Sequence, residues 1–317
     1  MATDSPPLAS AEPRRSLLAR LLDSDVLHSF WRSKVTVAAS LVALVLIGSA
    51  VFAPWIAPHD PFDLAKINLL DSHLPPVWQD SGDARFLLGT DDQGRDILST
   101  ILYGSRSSLT VGILSVAFAT VFGVLLGLIA GYTGGFIDTA IMRAADVQLT
   151  FPAILIALLI DGTVQALVGP HRNASQASLV LILSIGLSFW VQYARTVRAQ
   201  TLVERHKDYV QAARLIGLSP ARILLRHILP NVMGPVLVIV TINLALAIIL
   251  EATLSFLGVG LPPTEPSLGT LIRIGNNYLF SGEWWIAIFP GITLVALVLA
   301  VNLVGDWLRD VLNPKLR

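Results

Sequence analysis

Residues Ser107–Ile137 read SSLTVGILSVAFATVFGVLLGLIAGYTGGFI and contain no Asp, Glu, Lys or Arg. This run is longer than the ~20 apolar residues that an α-helix needs to cross a bilayer. Uniformly apolar runs favour helices, because the strands of a membrane barrel alternate apolar and polar residues. Four further charge-free stretches of similar character are Val35–Ala57, Asn173–Ala194, His227–Leu250 and Trp284–Gly305.

A sixth candidate span covers about 138–160. Its first part contains Asp138, Arg143 and Asp146, and an apolar run Phe151–Ile160 follows. We interpret Arg143 and Asp146, three residues apart, as a local ion pair. With this segment the sequence predicts an all-α membrane protein with six transmembrane helices.

The composition agrees with a membrane protein. Charged residues make up 14% of the chain and hydrophobic residues 54%, whereas a soluble domain carries roughly 25% charged residues. The formal net charge of +0 provides no overall positive field for nucleic acid. The chain has no cysteine, which excludes thiolate metal sites and cysteine nucleophiles.

The distribution of positive charge predicts the orientation. Most of the 22 lysines and arginines lie in the N-terminal segment, in the segment 195–230 and in the C-terminal tail. Six spans place these three segments on one side, and the positive-inside rule makes that side cytoplasmic. The first span follows a long N-terminal segment and reads as a retained anchor, not a cleaved signal peptide.

These inferences give a predicted organisation. The predicted segments are a cytoplasmic tail with an interfacial helix at 1–34, a first transmembrane helix at 35–57, an extracytoplasmic loop at 58–106, a transmembrane core at 107–307 and a cytoplasmic tail at 308–317.

A glycine stripe lies in the second span. Gly123, Gly127 and Gly131 recur every four residues and share one helix face. Small residues at this spacing let another helix approach closely. We interpret the stripe as a packing seam.

The basic segment 195–230 contains a second motif. It reads Gln211-Ala212-Ala213, three residues, Gly217, and nine residues to the sequence His227–Pro230. Helix-favouring composition at 199–216 followed by glycine predicts a helix that ends at Gly217 with positive φ. Ser219 and Pro220 are suited to start a second helix, and Pro230 marks the return to the membrane. The sequence predicts a cytoplasmic helical hairpin that docks a partner.

The chain lacks the motifs of an ATPase. It contains no GxxxxGK[ST] sequence, and none of its lysines follows a glycine. It therefore cannot hold ATP phosphates in a P-loop. We expect it to catalyse no covalent chemistry and to hold no metal or cofactor.

The hairpin motif resembles the "EAA" loop of permease subunits in bacterial ATP-binding-cassette importers. That pattern is Glu-Ala-Ala, three residues, Gly, nine residues and Ile-x-Leu-Pro. Gln211 replaces the glutamate and His227 the first isoleucine. The matching positions are Ala212, Ala213, Gly217, Leu229 and Pro230.

The resemblance extends along the chain. Leu88–Asp91, Gly94-Arg95-Asp96 and Tyr103–Arg106 are similar to the entry of the second span in dipeptide, oligopeptide and nickel permeases. The segments Ala53–Pro58, Leu254–Gly260 and Asn313–Arg317 also resemble these proteins. Together they point to a C-type permease subunit of a dipeptide or oligopeptide importer.

This resemblance implies a type I ABC importer fold and a set of partners. They are a B-type permease subunit, two ATPase subunits that carry ATP and Mg and bind the hairpins, and an extracytoplasmic peptide-binding protein. The complex would lie in the bacterial inner membrane with both termini of this chain cytoplasmic. Importers of nickel, glutathione and opines share the motifs and stay open as alternatives.

Several charged residues have open roles. Asp91 is expected to cap a short helix and to form a surface pair with Arg95, while contact of Asp91, Arg95 and Asp96 with the binding protein is the alternative. Glu251, near the outer end of the fifth span, is either functional or solvated.

Two other protein classes are weighed against this interpretation. An ion-coupled secondary transporter usually needs ionisable groups or broken helices near the midplane, and the span centres hold almost no ionisable groups. A membrane scaffold or receptor would not need a docking hairpin at fixed spacing.

Overall fold

The computed structural model describes residues 30–63, 65–169, 173–262 and 264–312. The predicted interfacial helix lies almost wholly outside this part of the chain, as does the last half of the predicted C-terminal tail. The labelled helices are α1 Lys34–Val51, α2 Ile97–Thr133, α3 Gly135–Leu149, α4 Ala153–Val168, α5 Ala174–Glu204, α6 Asp208–Leu215, α7 Leu229–Phe256, α8 Leu268–Asn276 and α9 Trp285–Leu312.

Five of these elements are long and apolar enough to cross a membrane, namely α1, α2, α5, α9 and the helical stretch Pro220–Phe256 that contains α7. Several polar caps fix where the helices start. The Ser33 side chain accepts a hydrogen bond at the start of α1, and Asp96 does so at the start of α2. Because of the Asp96 cap, α2 begins at Ile97, earlier than the charge-free run that starts at Ser107.

Helices α2 and α5 form the centre of the bundle. Their buried apolar residues join those of α7 in one core cluster, which includes Leu128, Tyr193 and Val236. A second cluster joins α1, the start of α2, α7, α8 and α9 around Ile97 and Ile248. The helices therefore bury their apolar faces against one another within a single chain.

The predicted sixth span is not one straight helix. Helices α3 and α4 meet at a bend of 97°. Pro152 stands at the N-cap of α4. Proline lacks an N–H and restricts the residue before it, so a continuous helix is interrupted there.

The bent pair still returns the chain across the bundle. The C-terminal end of α2 lies beside the C-terminal end of α5, where Arg205 donates to the Gly131 carbonyl. The start of α5 lies at the opposite end, where Ser178 and Tyr103 line one cavity. Since α2 ends and α5 begins at opposite ends, α3 and α4 together act as a broken sixth crossing.

This topology defines two ends of the bundle. The hairpin end holds residues 205–230, the start of α1 and the end of α9, where the Phe30 and Trp307 rings contact each other at 5.1 Å. The loop end holds the segment 58–96, α8 and the start of α9.

Candidate functional site: a hairpin at one end and a polar cap at the other

The hairpin, residues 205–230, is built around a glycine turn. Helix α6 ends at Leu215 and Gly217 follows with φ of +78°. The Gly217 N–H bonds to the Arg214 carbonyl at 3.0 Å, and the Leu218 N–H bonds to the Ala213 carbonyl at 3.1 Å. This pair of bonds is a Schellman motif, which satisfies the last carbonyls of the helix. The predicted positive φ at Gly217 is confirmed.

One face of the hairpin is built into the core of the bundle. Val210 and Ala213 on α6 are buried in the cluster that contains Ile223 and Ile228 from the other arm. The motif residue Ala213 is therefore a packing residue. Gln211 and Ala212 are exposed, and the Gln211 amide donates to the Arg205 carbonyl at 3.3 Å.

The other face presents an apolar tip to solvent. Leu215 is 88% exposed and Ile216 is 75% exposed. Arg214 and Arg222 flank this tip in sequence. Two large apolar side chains held outward by a packed turn, next to positive charge, form a surface suited to a protein partner.

The second arm is a continuation of a membrane helix. Ser219 stands at the N-cap, as predicted, but its side chain makes no capping hydrogen bond. The helix runs from Pro220 through a π-helical turn, Ile223–Ile228, directly into α7. Pro230 lies in the first turn of α7 and does not end a separate helix. The predicted second helix begins at Pro220 after Ser219, and it continues without a break into α7.

The first arm contains a break, although the sequence predicts one helix over 199–216. Helix α5 ends at Glu204 and α6 begins at Asp208. The Lys207 ammonium donates to the Glu204 carboxylate at 2.5 Å. Tyr209 also donates to this carboxylate. These contacts stabilise the change of direction at the base of the hairpin.

A polar chain then joins the two arms. The Asn231 amide donates to the Tyr209 hydroxyl at 3.1 Å and to the His227 carbonyl at 2.7 Å. Glu204 on α5 is thus connected through Tyr209 to the start of α7. Sequence reasoning missed Glu204, Tyr209 and Asn231, because their partners come together only in the folded hairpin.

The glycine stripe packs against α5. A Cβ atom built on Gly123 would lie 2.5 Å from the Trp190 carbonyl oxygen, and one on Gly127 would lie 2.6 Å from that of Ala194. Gly131 faces Thr201 in the same way. The stripe is therefore a seam within one subunit.

The seam ends at the hairpin. The Arg205 guanidinium donates to the Gly131 carbonyl at 3.0 Å and also to the Tyr132 carbonyl. The Arg214 guanidinium lies over the Tyr132 ring, 4.9 Å from its centre. The hairpin is thereby attached to α2 as well as to α5 and α7.

Ion pairs attach α3 to α5 near the same end. Asp138 accepts from Arg198, and Asp146 accepts from Arg195. The predicted local pair of Arg143 and Asp146 exists as well, at 3.9 Å and with both side chains exposed. Sequence reasoning missed the pairs to α5, because they join residues far apart in the chain.

At the loop end, Asp91 and Arg95 form a buried ion pair. The Arg95 Nε donates to the Asp91 carboxylate at 2.6 Å, and both side chains are about as buried as core residues. Asp91 also accepts from the backbone N–H groups of Gln93 and Arg95, each at 2.9 Å. Gly94 has φ of +77° and completes this tight turn. The predicted pair of Asp91 and Arg95 exists, but the prediction that it lies at the surface is wrong.

Asp96, and not Asp91, caps the following helix. The Asp96 carboxylate accepts from the Ser99 N–H at 2.9 Å and from the Ser99 hydroxyl at 2.6 Å.

Neighbouring Asp92 lies against Tyr278, whose hydroxyl is 3.5 Å from the Asp92 carboxylate. Burial raises the pKa of Asp92, and the negative charge of Asp91 acts in the same direction.

The loop segment is also fastened to the helical bundle. The Trp285 indole donates to the Thr90 carbonyl at 3.2 Å, and His73 contacts Glu283 at 2.5 Å. These contacts hold the polar cap, residues 71–96, against the starts of α2 and α9.

Glu251 is fully buried near the end of α7, so the solvated alternative is wrong. Its carboxyl accepts from the Ser255 hydroxyl at 2.7 Å. The Ser108 hydroxyl of α2 accepts from the Leu268 N–H of α8 at 3.2 Å. This bond connects α2 to α8 at the loop end.

Comparison with known proteins identifies the family. Residues 123–317 match the model of the binding-protein-dependent transport system inner membrane component, and residues 23–76 match the N-terminal transmembrane domain of oligopeptide transport permease C. The chain belongs to this family of importer permeases. It is accordingly a multi-pass protein of the inner membrane and the permease component of an ABC importer.

Two curated relatives cover nearly the whole chain. The di/tripeptide transport system permease protein of Pseudomonas aeruginosa is 39% identical over 92% of this chain and 93% of its own length. The dipeptide transport system permease protein of Escherichia coli K12 is 41% identical over 92% of each chain.

A solved structure shows the same fold. An inward-facing form of the MetNI methionine ABC transporter matches with a TM-score of 0.52 and 21% identity, covering 68% of this chain and 98% of the other. The type I ABC importer permease fold predicted for this chain is confirmed.

Proposed function

We propose that this permease carries dipeptides and short oligopeptides across the inner membrane, driven by ATPase subunits that dock on its hairpin. One observation supports coupling of this chain to ATPase subunits. The Leu215–Ile216 tip of the hairpin is exposed, while the other face of the hairpin is packed into the core. Identities of 39% and 41% to peptide permeases over 92% of the chain support the substrate class.

The hairpin geometry supports a force-transmitting role. Its first arm continues from α5, its second arm continues into α7, and Arg205 joins it to α2. A displacement of the docked tip would therefore be transmitted to three membrane helices. Packed elements of this kind move between discrete arrangements when a partner binds one arrangement more tightly.

The proposal includes an orientation and a set of partners. The hairpin end, with its concentration of Arg and Lys, lies in the cytoplasm together with both termini, and the polar cap lies outside. Two ATPase subunits carry ATP and Mg²⁺, a B-type permease completes the pathway, and a binding protein delivers the peptide at the cap.

Reconstitution tests this function. The permease pair, its ATPases and the binding protein are placed in proteoliposomes, and uptake of labelled dialanine is measured. We expect uptake only with ATP and the binding protein present, and no ATP hydrolysis by this chain alone. Dialanine uptake driven by a proton or sodium gradient without the ATPases would contradict the proposal.

A further inference from the structure

A cavity of about 670 Å³ opens at the loop end of the bundle. Its walls come from four parts of the chain: the segment after α1, the first turns of α2, the start of α5 and the loop between α7 and α8. This volume lies in the range of about 300–1,000 Å³ that is usual for small-molecule sites.

The cavity contains one exposed cation and one exposed anion. Arg106 of α2 and Glu265 of the loop before α8 both line it, and both are exposed. Within the described ranges of the chain, neither side chain has an ion-pair partner. Their charges are therefore available to a ligand.

Arg95 also lines this cavity, but its charge is already committed. Its guanidinium is paired with the buried Asp91 carboxylate at 2.6 Å. Arg95 therefore acts as a fixed part of the wall, and Arg106 is the cation that faces a ligand. Gln93, on the same turn, adds an amide that can donate and accept hydrogen bonds.

An aromatic wall completes the cavity. The Phe62 and Tyr103 rings contact each other edge to face, with their centres 5.1 Å apart. Such a wall offers apolar surface that can contact different side chains of a ligand. A ligand with two fixed charges and a variable apolar part matches this combination.

We propose that this cavity, the entry site, binds a short zwitterionic peptide, with Arg106 on its α-carboxylate and Glu265 on its α-ammonium group. At neutral pH a free peptide carries both charges, since the α-carboxyl pKa is about 3.5 and the α-amino pKa about 7.8. The inference rests on the proposed peptide transport and adds the residues of this chain that receive the peptide.

Equilibrium binding of labelled dialanine to the permease–ATPase complex in nanodiscs, without the binding protein, tests the entry site. We expect wild type to bind, and Arg106→Gln and Glu265→Gln each to weaken binding at least about tenfold, because each removes a charge-assisted contact. Arg106→Lys keeps the charge and should retain most of the affinity. Arg85→Gln and Asp80→Asn, exposed residues outside the cavity, are the matched controls and should bind as wild type.

Blocked peptides separate the two contacts. For the wild-type complex, N-acetyl-dialanine should compete poorly with labelled dialanine. For Glu265→Gln it should compete nearly as well as unlabelled dialanine. Dialanine amide should show the same pattern, with Arg106→Gln in place of Glu265→Gln. The ratio between the affinity of a blocked peptide and that of dialanine does not depend on how much complex is recovered. A wild-type complex that transports dialanine but does not bind it here, or variants with unchanged affinity and ratios, would overturn the entry site alone. Absence of ATP-driven dialanine uptake by wild type would instead overturn the proposed function.

Discussion

The side-chain amide of Asn231 donates a hydrogen bond of 3.1 Å to the hydroxyl of Tyr209, across the two arms of the hairpin. Tyr209 in turn donates to Glu204, the last residue of α5. The contact joins the base of one membrane helix to the first turn of another. The hairpin is therefore constrained at its base while its tip remains exposed.

Removal of this contact is expected to loosen coupling. Tyr209→Phe loses two hydrogen bonds, the one accepted from Asn231 and the one donated to Glu204, each worth about 1 kcal/mol or more. The two arms are then less firmly connected, and movement of the tip is transmitted less completely. We expect fewer peptides transported per ATP hydrolysed in proteoliposomes, with unchanged membrane abundance.

A double-mutant cycle with Asn231→Ala checks the assignment. Tyr209 also bonds Glu204 and Asn231 also bonds the His227 carbonyl, so each single variant loses a contact of its own. If the Tyr209–Asn231 contact contributes to coupling, the loss in the double variant should be smaller than the sum of the two single losses. Tyr132→Phe is the control, since it removes a hydroxyl to which the described residues give no hydrogen bond. Additive losses, or an equal loss in the control, would contradict this role.

Gly217→Val is expected to abolish peptide uptake while the protein remains in the membrane. A Cβ at this position would meet no atom within 4 Å, so the cost arises from φ of +78°. That strain is about 1–3 kcal/mol for a residue with a side chain and is worst for a β-branched one. The Schellman turn would change and redirect the tip, and association with the ATPase subunits should weaken. Gly217→Ala should be milder.

Gly282→Val provides the control for backbone strain alone. Gly282 also has positive φ, at +95°, and open space around it, but it lies at the loop end. We expect this variant to keep its association with the ATPases in pull-down from detergent. Normal uptake by Gly217→Val would show that the hairpin is a passive connector.

The sequence predicted the membrane helices and the glycine turn, because both depend on local patterns. Charge-free runs require burial in lipid, and the Ala-Ala to Gly217 spacing is a local signal for the end of a helix. Pro152 is likewise a local signal for the bend between α3 and α4.

The remaining features depend on contacts between distant residues. The break between Glu204 and Asp208 lies in a sequence with helix-favouring composition and is stabilised by Arg205 bonding to Gly131 of α2. The burial of Glu251 and of the Asp91–Arg95 pair follows from the packing of α8 and the polar cap around them. No periodicity in the sequence encodes these contacts.

Gly127→Ala is expected to destabilise the subunit. The added Cβ would lie 2.6 Å from the Ala194 carbonyl oxygen and 2.9 Å from the Val197 Cβ, so α2 and α5 would have to separate. Overpacking of this kind costs about 1–3 kcal/mol, and Gly127→Leu should prevent recovery of the folded complex. The measurement is thermal stability in detergent by size-exclusion chromatography.

Gly162→Ala is the matched control for the seam. Gly162 lies inside α4, and a Cβ there meets no atom within 4 Å. The same substitution should stabilise this site by up to about 1 kcal/mol, because alanine favours a helix. Equal effects of the two substitutions would show that the stripe does not depend on close packing.

Arg95→Ala is expected to destabilise the polar cap strongly, because it leaves the Asp91 carboxylate buried without its ion-pair partner. Breaking a buried pair by removing one member costs about 3–5 kcal/mol. Arg85→Ala removes an exposed pair with Asp71 and Asp83 on the same segment and should change little. Limited proteolysis of the cap in the purified complex measures both effects. Because Asp91 and Arg95 hold the turn on which Gln93 reaches the entry site, Arg95→Ala should also weaken dialanine binding, whereas an intact cap with wild-type binding would show that the pair is dispensable.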